Sequence, residues 1–178
     1  MKYPTIFHFV SEVFNKGDVA CVLIGGFAVN FYKASRNTKD VDFLTTRENY
    51  DKILDLLKKE GFKEEYIHQT FARLKPDKWQ YMEIDFMFVE KGVLEKIIKA
   101  GQEVNIGGQK FTIPSLFHLI ALKLHSIKDN KKREYKDLLD IMELIRNNNV
   151  DIKNTEFKEL CLKYGNEYFY QRIIEHLS

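Results

Sequence analysis

The chain is poor in the residues that break or staple structure: its 178 residues include 3 prolines, 9 glycines and 2 cysteines. So few prolines and glycines exclude long irregular or low-complexity stretches. The two cysteines, Cys21 and Cys161, are too few and too far apart for a disulfide framework and read as reduced, packed thiols. Long apolar runs are missing too, which excludes a membrane-spanning helix. The start, MKYPTIFHFVSEVF, lacks the basic segment, apolar block and small-residue cleavage site of a secretion signal. By elimination, the expectation is a cytoplasmic protein without membrane partners. The formal charge of +2 gives no overall pull toward nucleic acid. The five histidines, His8, His68, His118, His125 and His176, lack metal-ligand spacing with one another or with the cysteines. No Walker-type or nucleophile-elbow motif is present.

What is there suffices for one domain, or for a core with a small appendage. Apolar residues make up 44% and charged residues 30% of the chain, the balance of a globular protein with a real core. Helical spacing of Ile6, Phe7, Val10, Val13 and Phe14 predicts a helix over 4–16. Residues 20–24 predict a buried strand ended by Gly25-Gly26, after which a helical pattern resumes at Phe27. Residues 41–45 predict a second strand, and 47–60 a helix closed by Gly61. Two strands are expected at 66–75 and 79–90, joined by a Lys75–Lys78 turn. A short helix over 92–100 follows, then a hairpin about Gly107-Gly108. From Pro114 onward the pattern is helical in about four segments, with breaks at Asn147–Asn149 and Gly165. The expected architecture is α+β: a mixed sheet of four or five strands flanked by helices (residues 1–113), and a helical region (114–178) closing a cleft over the sheet. Trp79 and the other aromatics are expected to fill the core.

Strand parity organises the acids. In Asp40-Val41-Asp42-Phe43 the carboxylates share one face and Val41 and Phe43 the other. Along 81–88, Met82, Ile84, Phe86 and Phe88 form the apolar side, with Glu83 and Asp85 opposite. Pairing the two strands would bring Asp40, Asp42 and Asp85 together. Acids so placed are either solvent-facing charges on a half-buried sheet or ligands of a hard divalent cation such as Mg²⁺. Gly25-Gly26 at a helix start favours the second reading, because exposed N–H groups and missing Cβ atoms suit a phosphate.

Gly25-Gly26, Asp40-Val41-Asp42-Phe43 and Glu83-Ile84-Asp85 resemble the signature of the DNA polymerase β-like nucleotidyltransferase superfamily. Arg36-Asn37-Thr38-Lys39-Asp40, with Lys123, Arg133 and Lys136-Asp137-Leu138-Leu139-Asp140, resembles the abortive-infection (AbiEii-like) toxin group within it. The matches span roughly residues 20 to 141. That resemblance implies the nucleotidyltransferase fold and a Mg²⁺- or Mn²⁺-dependent enzyme that moves a nucleotidyl group from an NTP to an acceptor hydroxyl. Asp40, Asp42 and Asp85 would be the catalytic metal ligands, with Asp85 also eligible as general base. Gly25, Gly26, Arg36 and Lys123 would hold the triphosphate. Thr38 either bonds near the site or terminates its loop. Asp137 and Asp140 either position Lys123 or Arg133, orient a substrate, or cap and solvate their helix. By the same resemblance the acceptor is tRNA or a protein, and an antitoxin partner is expected. Lys128, Lys131, Lys132, Arg133 and Lys136 suit an RNA acceptor, and otherwise form a solvated helix face. Two further readings stay open: a small-molecule, antibiotic-type nucleotidyltransferase, and an inactive nucleotide-binding relative serving as an interaction module.

Overall fold

The computed structural model describes residues 3–177. They contain eight α-helices and seven strands, grouped into two compact units. One unit comprises the residues up to Ala28 and Asn37–Pro114; the other comprises Val29–Arg36 and the residues from Ser115 on. The mixed α/β architecture agrees with the fold class expected from the sequence.

The first unit carries the whole sheet. In chain order the strands are β1 (Val22–Leu23), β2 (Asp40–Thr45), β3 (Phe62–Ile67), β4 (Phe71–Pro76), β5 (Glu83–Phe88), β6 (Gln102–Ile106) and β7 (Gln109–Ile113). They stand side by side as β3-β4-β5-β2-β1-β7-β6. The pairs β2/β5 and β1/β7 are parallel, and the others are antiparallel. Helices α1 (Ile6–Gly17), α3 (Arg47–Lys59) and α4 (Lys91–Ala100) belong to this unit. Its core is aromatic: Phe9 stacks on Phe62 at 5.2 Å between ring centres, and Phe14 meets Phe43 edge-on at 4.8 Å. The buried Tyr50 keeps its hydroxyl satisfied by donating to Glu64 at 2.9 Å. Gly107 and Gly108, at φ 59° and 79°, make the tight turn of the β6/β7 hairpin.

Seven strands replace the four or five expected. β3 (FKEEYI) has one fully buried side chain and a mostly exposed remainder, so its weak apolar alternation hides it. The stretch expected as one strand from residue 66 to 75 instead turns at 68–70 between β3 and β4. Trp79 also departs from expectation. It is 93% exposed in the 77–82 connection rather than in the core, because that connection lies outside both flanking strands.

The second unit is helical: α5 (Leu116–Asp129), a 3₁₀ turn at Lys131–Arg133, α6 (Glu134–Asn147), α7 (Thr155–Tyr164) and α8 (Glu167–Leu177). Helix α2 (Gly25–Phe31) begins in the first unit and ends in this one. Segment 29–36 is tied to α6 by side-chain amides, Asn147 donating to the Lys33 carbonyl at 2.8 Å and Asn148 to the Tyr32 carbonyl at 2.9 Å. Ser115 caps α5 by accepting from the His118 N–H. Both cysteines are free thiols, and burial pushes each up to about 12, as reduced packed thiols should behave. No helix of the described residues is long and apolar enough to cross a membrane.

Candidate active site

Parallel pairing of β2 with β5 sets Asp42 directly opposite Asp85 and Asp40 opposite Glu83. The apolar partners Val41, Phe43, Ile84 and Phe86 are fully buried on the other side of the ribbon. Burial of that side fixes the register, because a one-residue slip would turn the acids into the core. One carboxylate oxygen each from Asp40, Asp42 and Asp85 lies within 4.8 Å of the others. Three ionised carboxylates this close repel each other, and an all-oxygen donor set of this kind fits a hard divalent cation that keeps room for phosphates. The residues present therefore fit the metal that the resemblance implies.

The glycines are explained first by this strand. Gly25 has φ +62°, and a Cβ there would run into the Asp42 carboxylate; a Cβ on Gly26 would come within 2.6 Å of the Thr38 Cβ and Oγ1. The glycine pair thus lets α2 start close against the acid-bearing strand. The Thr38 hydroxyl lies 3.0 Å from the Asp40 carboxylate and 3.1 Å from the Asp40 carbonyl. It holds the first acid as well as ending its loop.

Sequence reasoning missed Arg73. It stands opposite Asp85 across β4/β5 and grips both carboxylate oxygens, Nε to Oδ1 at 2.8 Å and Nη2 to Oδ2 at 2.6 Å. Hydrogen bonding to Asp85 raises the Arg73 guanidinium further above its already high ordinary value, burial opposing only in part. Parity against the buried Ala72 and Leu74 places Arg73 on the acid face. Its register with Asp85, however, depends on the 77–82 connection.

The remaining expected residues meet in the second unit. Lys123 is buried and donates to Asp137 at 3.1 Å and to Asp140 at 2.6 Å. Asp140 also accepts from Arg36 Nη1 at 2.7 Å, while Asp137 accepts from Arg133 Nε at 2.9 Å and from the Ser126 hydroxyl at 3.1 Å. Burial would raise the Asp137 carboxyl, but Lys123 and Arg133 beside it outweigh that and hold it below its ordinary value. Asn30 fixes the backbone of Arg36 from both sides, donating to its carbonyl at 2.9 Å and accepting from its N–H at 2.7 Å. Asn30 and Ser126 had no distinguishing sequence signal: each is one polar residue among helical neighbours.

The mixed seven-stranded sheet flanked by helices is a nucleotidyltransferase-type fold. The chain belongs to the family described as "Uncharacterised nucleotidyltransferase", which matches residues 6–177. It is accordingly a transferase of nucleotidyl groups, with an NTP as the implied substrate, and the superfamily suggested by the sequence resemblance stands at that level. No curated protein matches the chain. Solved structures share the fold at low identity. The antibiotic-resistance factor ANT(2'')-Ia is 11% identical, with 96% of this chain and 95% of that one covered at a TM-score of 0.64. The lincosamide antibiotic adenylyltransferase LnuA is 19% identical, with 76% and 92% covered at 0.53. A putative nucleotidyltransferase from Thermotoga maritima is 15% identical, with 74% and 88% covered at 0.53.

Proposed function

We propose that this protein moves a nucleoside monophosphate from an NTP to the hydroxyl of an RNA acceptor, releasing pyrophosphate, as a toxin-like enzyme of the AbiEii type. The observation that carries the reading is the β2/β5 register, which gathers the Asp40, Asp42 and Asp85 oxygens within 4.8 Å. Mg²⁺ held there would neutralise phosphate charge and lower the pKa of the attacking hydroxyl. The chain's own part is to hold and orient. Asp40 is kept in place by Thr38, and Asp85 by Arg73. The triphosphate is assigned to the Gly25 and Gly26 N–H groups. Asp140 holds Arg36, and the buried Lys123 and Asp137 continue the charge network to the exposed Arg133. Asp85 is the third ligand in this reading, and its oxygens, already committed to Arg73, suit it less to removing the acceptor proton.

An RNA acceptor is supported by the exposed Lys128, Lys131, Lys132 and Lys136 with Tyr135, 80% exposed, among them. Cations interleaved with an open aromatic ring suit phosphates and a stacked base. The deciding experiment incubates the protein with each labelled NTP, Mg²⁺, total RNA and cell lysate. Label on RNA that disappears with Asp42→Asn supports the proposal. Label on protein, or on added lincomycin or tobramycin instead, moves the acceptor to that class. No NTP turnover by a folded protein overturns the enzymatic reading.

A further inference from the structure

The acid face of the sheet also carries two cations from β4. Beyond its two-point grip on Asp85, Arg73 has its Nε 3.8 Å from the Glu83 carboxylate, and Lys75 Nζ lies 3.9 Å from the same group. Lys75 is shared with Glu65, its nearer partner at 3.3 Å, so Arg73 is the cation that bears directly on Asp85. Asp85 is 4% exposed, and an ionised carboxylate that deep needs a partner before any metal arrives. A planar guanidinium fixes both the position and the plane of a carboxylate, which a lysine ammonium does not. Each gripped oxygen keeps a second lone pair that can face a cation.

We propose that Arg73 is a positioning residue of the metal site: it fixes Asp85 and supplies the positive charge that lets Asp40, Asp42 and Asp85 stand together before an ion binds. This inference rests on the metal-dependent reading above. Its two effects have opposite signs on removal. Without the charge, the acids present a more negative potential and a divalent cation binds more tightly. Without the grip, Asp85 stays within reach of the ion but loses its fixed orientation, and the reaction slows. Coulomb's law sets the first effect: a unit charge ~6 Å from a divalent ion changes affinity about tenfold even at the dielectric constant of water. A merely structural arginine would instead weaken binding and turnover together.

Calorimetric Mn²⁺ titration and pyrophosphate release, both on the full chain, test this with Arg73→Gln, Arg73→Lys and Asp85→Asn. Arg73→Gln is expected to bind Mn²⁺ about tenfold more tightly while releasing pyrophosphate at least about tenfold more slowly. Arg73→Lys should keep the Mn²⁺ affinity within about twofold, because the charge remains, and still lose turnover. Equal or weaker Mn²⁺ binding by a folded Arg73→Gln protein, or normal turnover in Arg73→Lys, overturns the proposal. Should Arg73→Gln not fold, Arg73→Lys decides alone: lost turnover at unchanged affinity supports it, and any other result overturns it. Wild-type protein that binds no Mn²⁺ overturns the metal reading and this inference with it. Mn²⁺ binding that Asp85→Asn leaves unchanged overturns only the role given to Arg73 and Asp85.

Discussion

A methyl group at Gly25 would enter the Asp42 carboxylate, and one at Gly26 would meet the hydroxyl that holds Asp40. Glycines at a strand-to-helix junction suggest phosphate contact when only the sequence is read; the geometry adds that their first duty is to leave room for the acids. Gly26→Ala is therefore expected to push Thr38 off Asp40. It should destabilise the protein by about 1–3 kcal/mol, the usual cost of overpacking, and weaken Mn²⁺ binding in the same preparation. Urea denaturation and Mn²⁺ titration read the two effects. Asp42 and Asp85 were legible as a pair because parity along two strands needs only the alternation of apolar residues. Arg73 was not, because its partner is chosen by a register that the 77–82 connection sets. Trp79, which composition would send inward, sits in that connection and stays outside.

At the level of elements, helices α5 and α6 are joined by charge as well as by apolar packing. Lys123, inside α5, bridges Asp137 and Asp140 on one face of α6. Without Lys123, Asp137 and Asp140 keep Arg133 and Arg36 but each loses a buried hydrogen bond, so Lys123→Met should cost about 1–3 kcal/mol in urea denaturation. Asp137, held below its ordinary value, adds a pH dependence whose sign follows from linkage. A depressed carboxyl contributes stability above its unfolded pKa of about 3.9, and that contribution is lost as pH falls through the folded value. Acid titration followed by circular dichroism should show stability falling below about pH 4, with a smaller fall in Asp137→Asn. The sequence placed Lys123, Arg133, Asp137 and Asp140 at the right spacing but left three roles open for the aspartates. Helical periodicity shows which residues share a face, not which lysine or arginine reaches that face from elsewhere. The same limit hid β3, whose mostly exposed side chains leave little alternation to read.

For the whole molecule, the proposed RNA acceptor and the metal site make separable demands. Reversing Lys128, Lys131, Lys132 and Lys136 to glutamate should reduce RNA labelling more than about tenfold at physiological salt, since each phosphate contact contributes through counterion release. Mn²⁺ binding should be unaffected, because Asp40, Asp42 and Asp85 on β2 and β5 are left unchanged. Raising the salt concentration should mimic the charge reversal for RNA. Chelating the metal should abolish labelling with either protein. By itself the sequence determined the α+β composition and, through its resemblance to the nucleotidyltransferase superfamily, the class; alternation along two strands placed Asp40, Asp42 and Asp85 on matching faces. Only the tertiary structure decided the number of strands, the grip of Arg73 on Asp85 and the holding of Arg36 by Asp140. Those depend on hydrogen-bond register and on meetings between residues far apart in sequence, which local patterns do not encode.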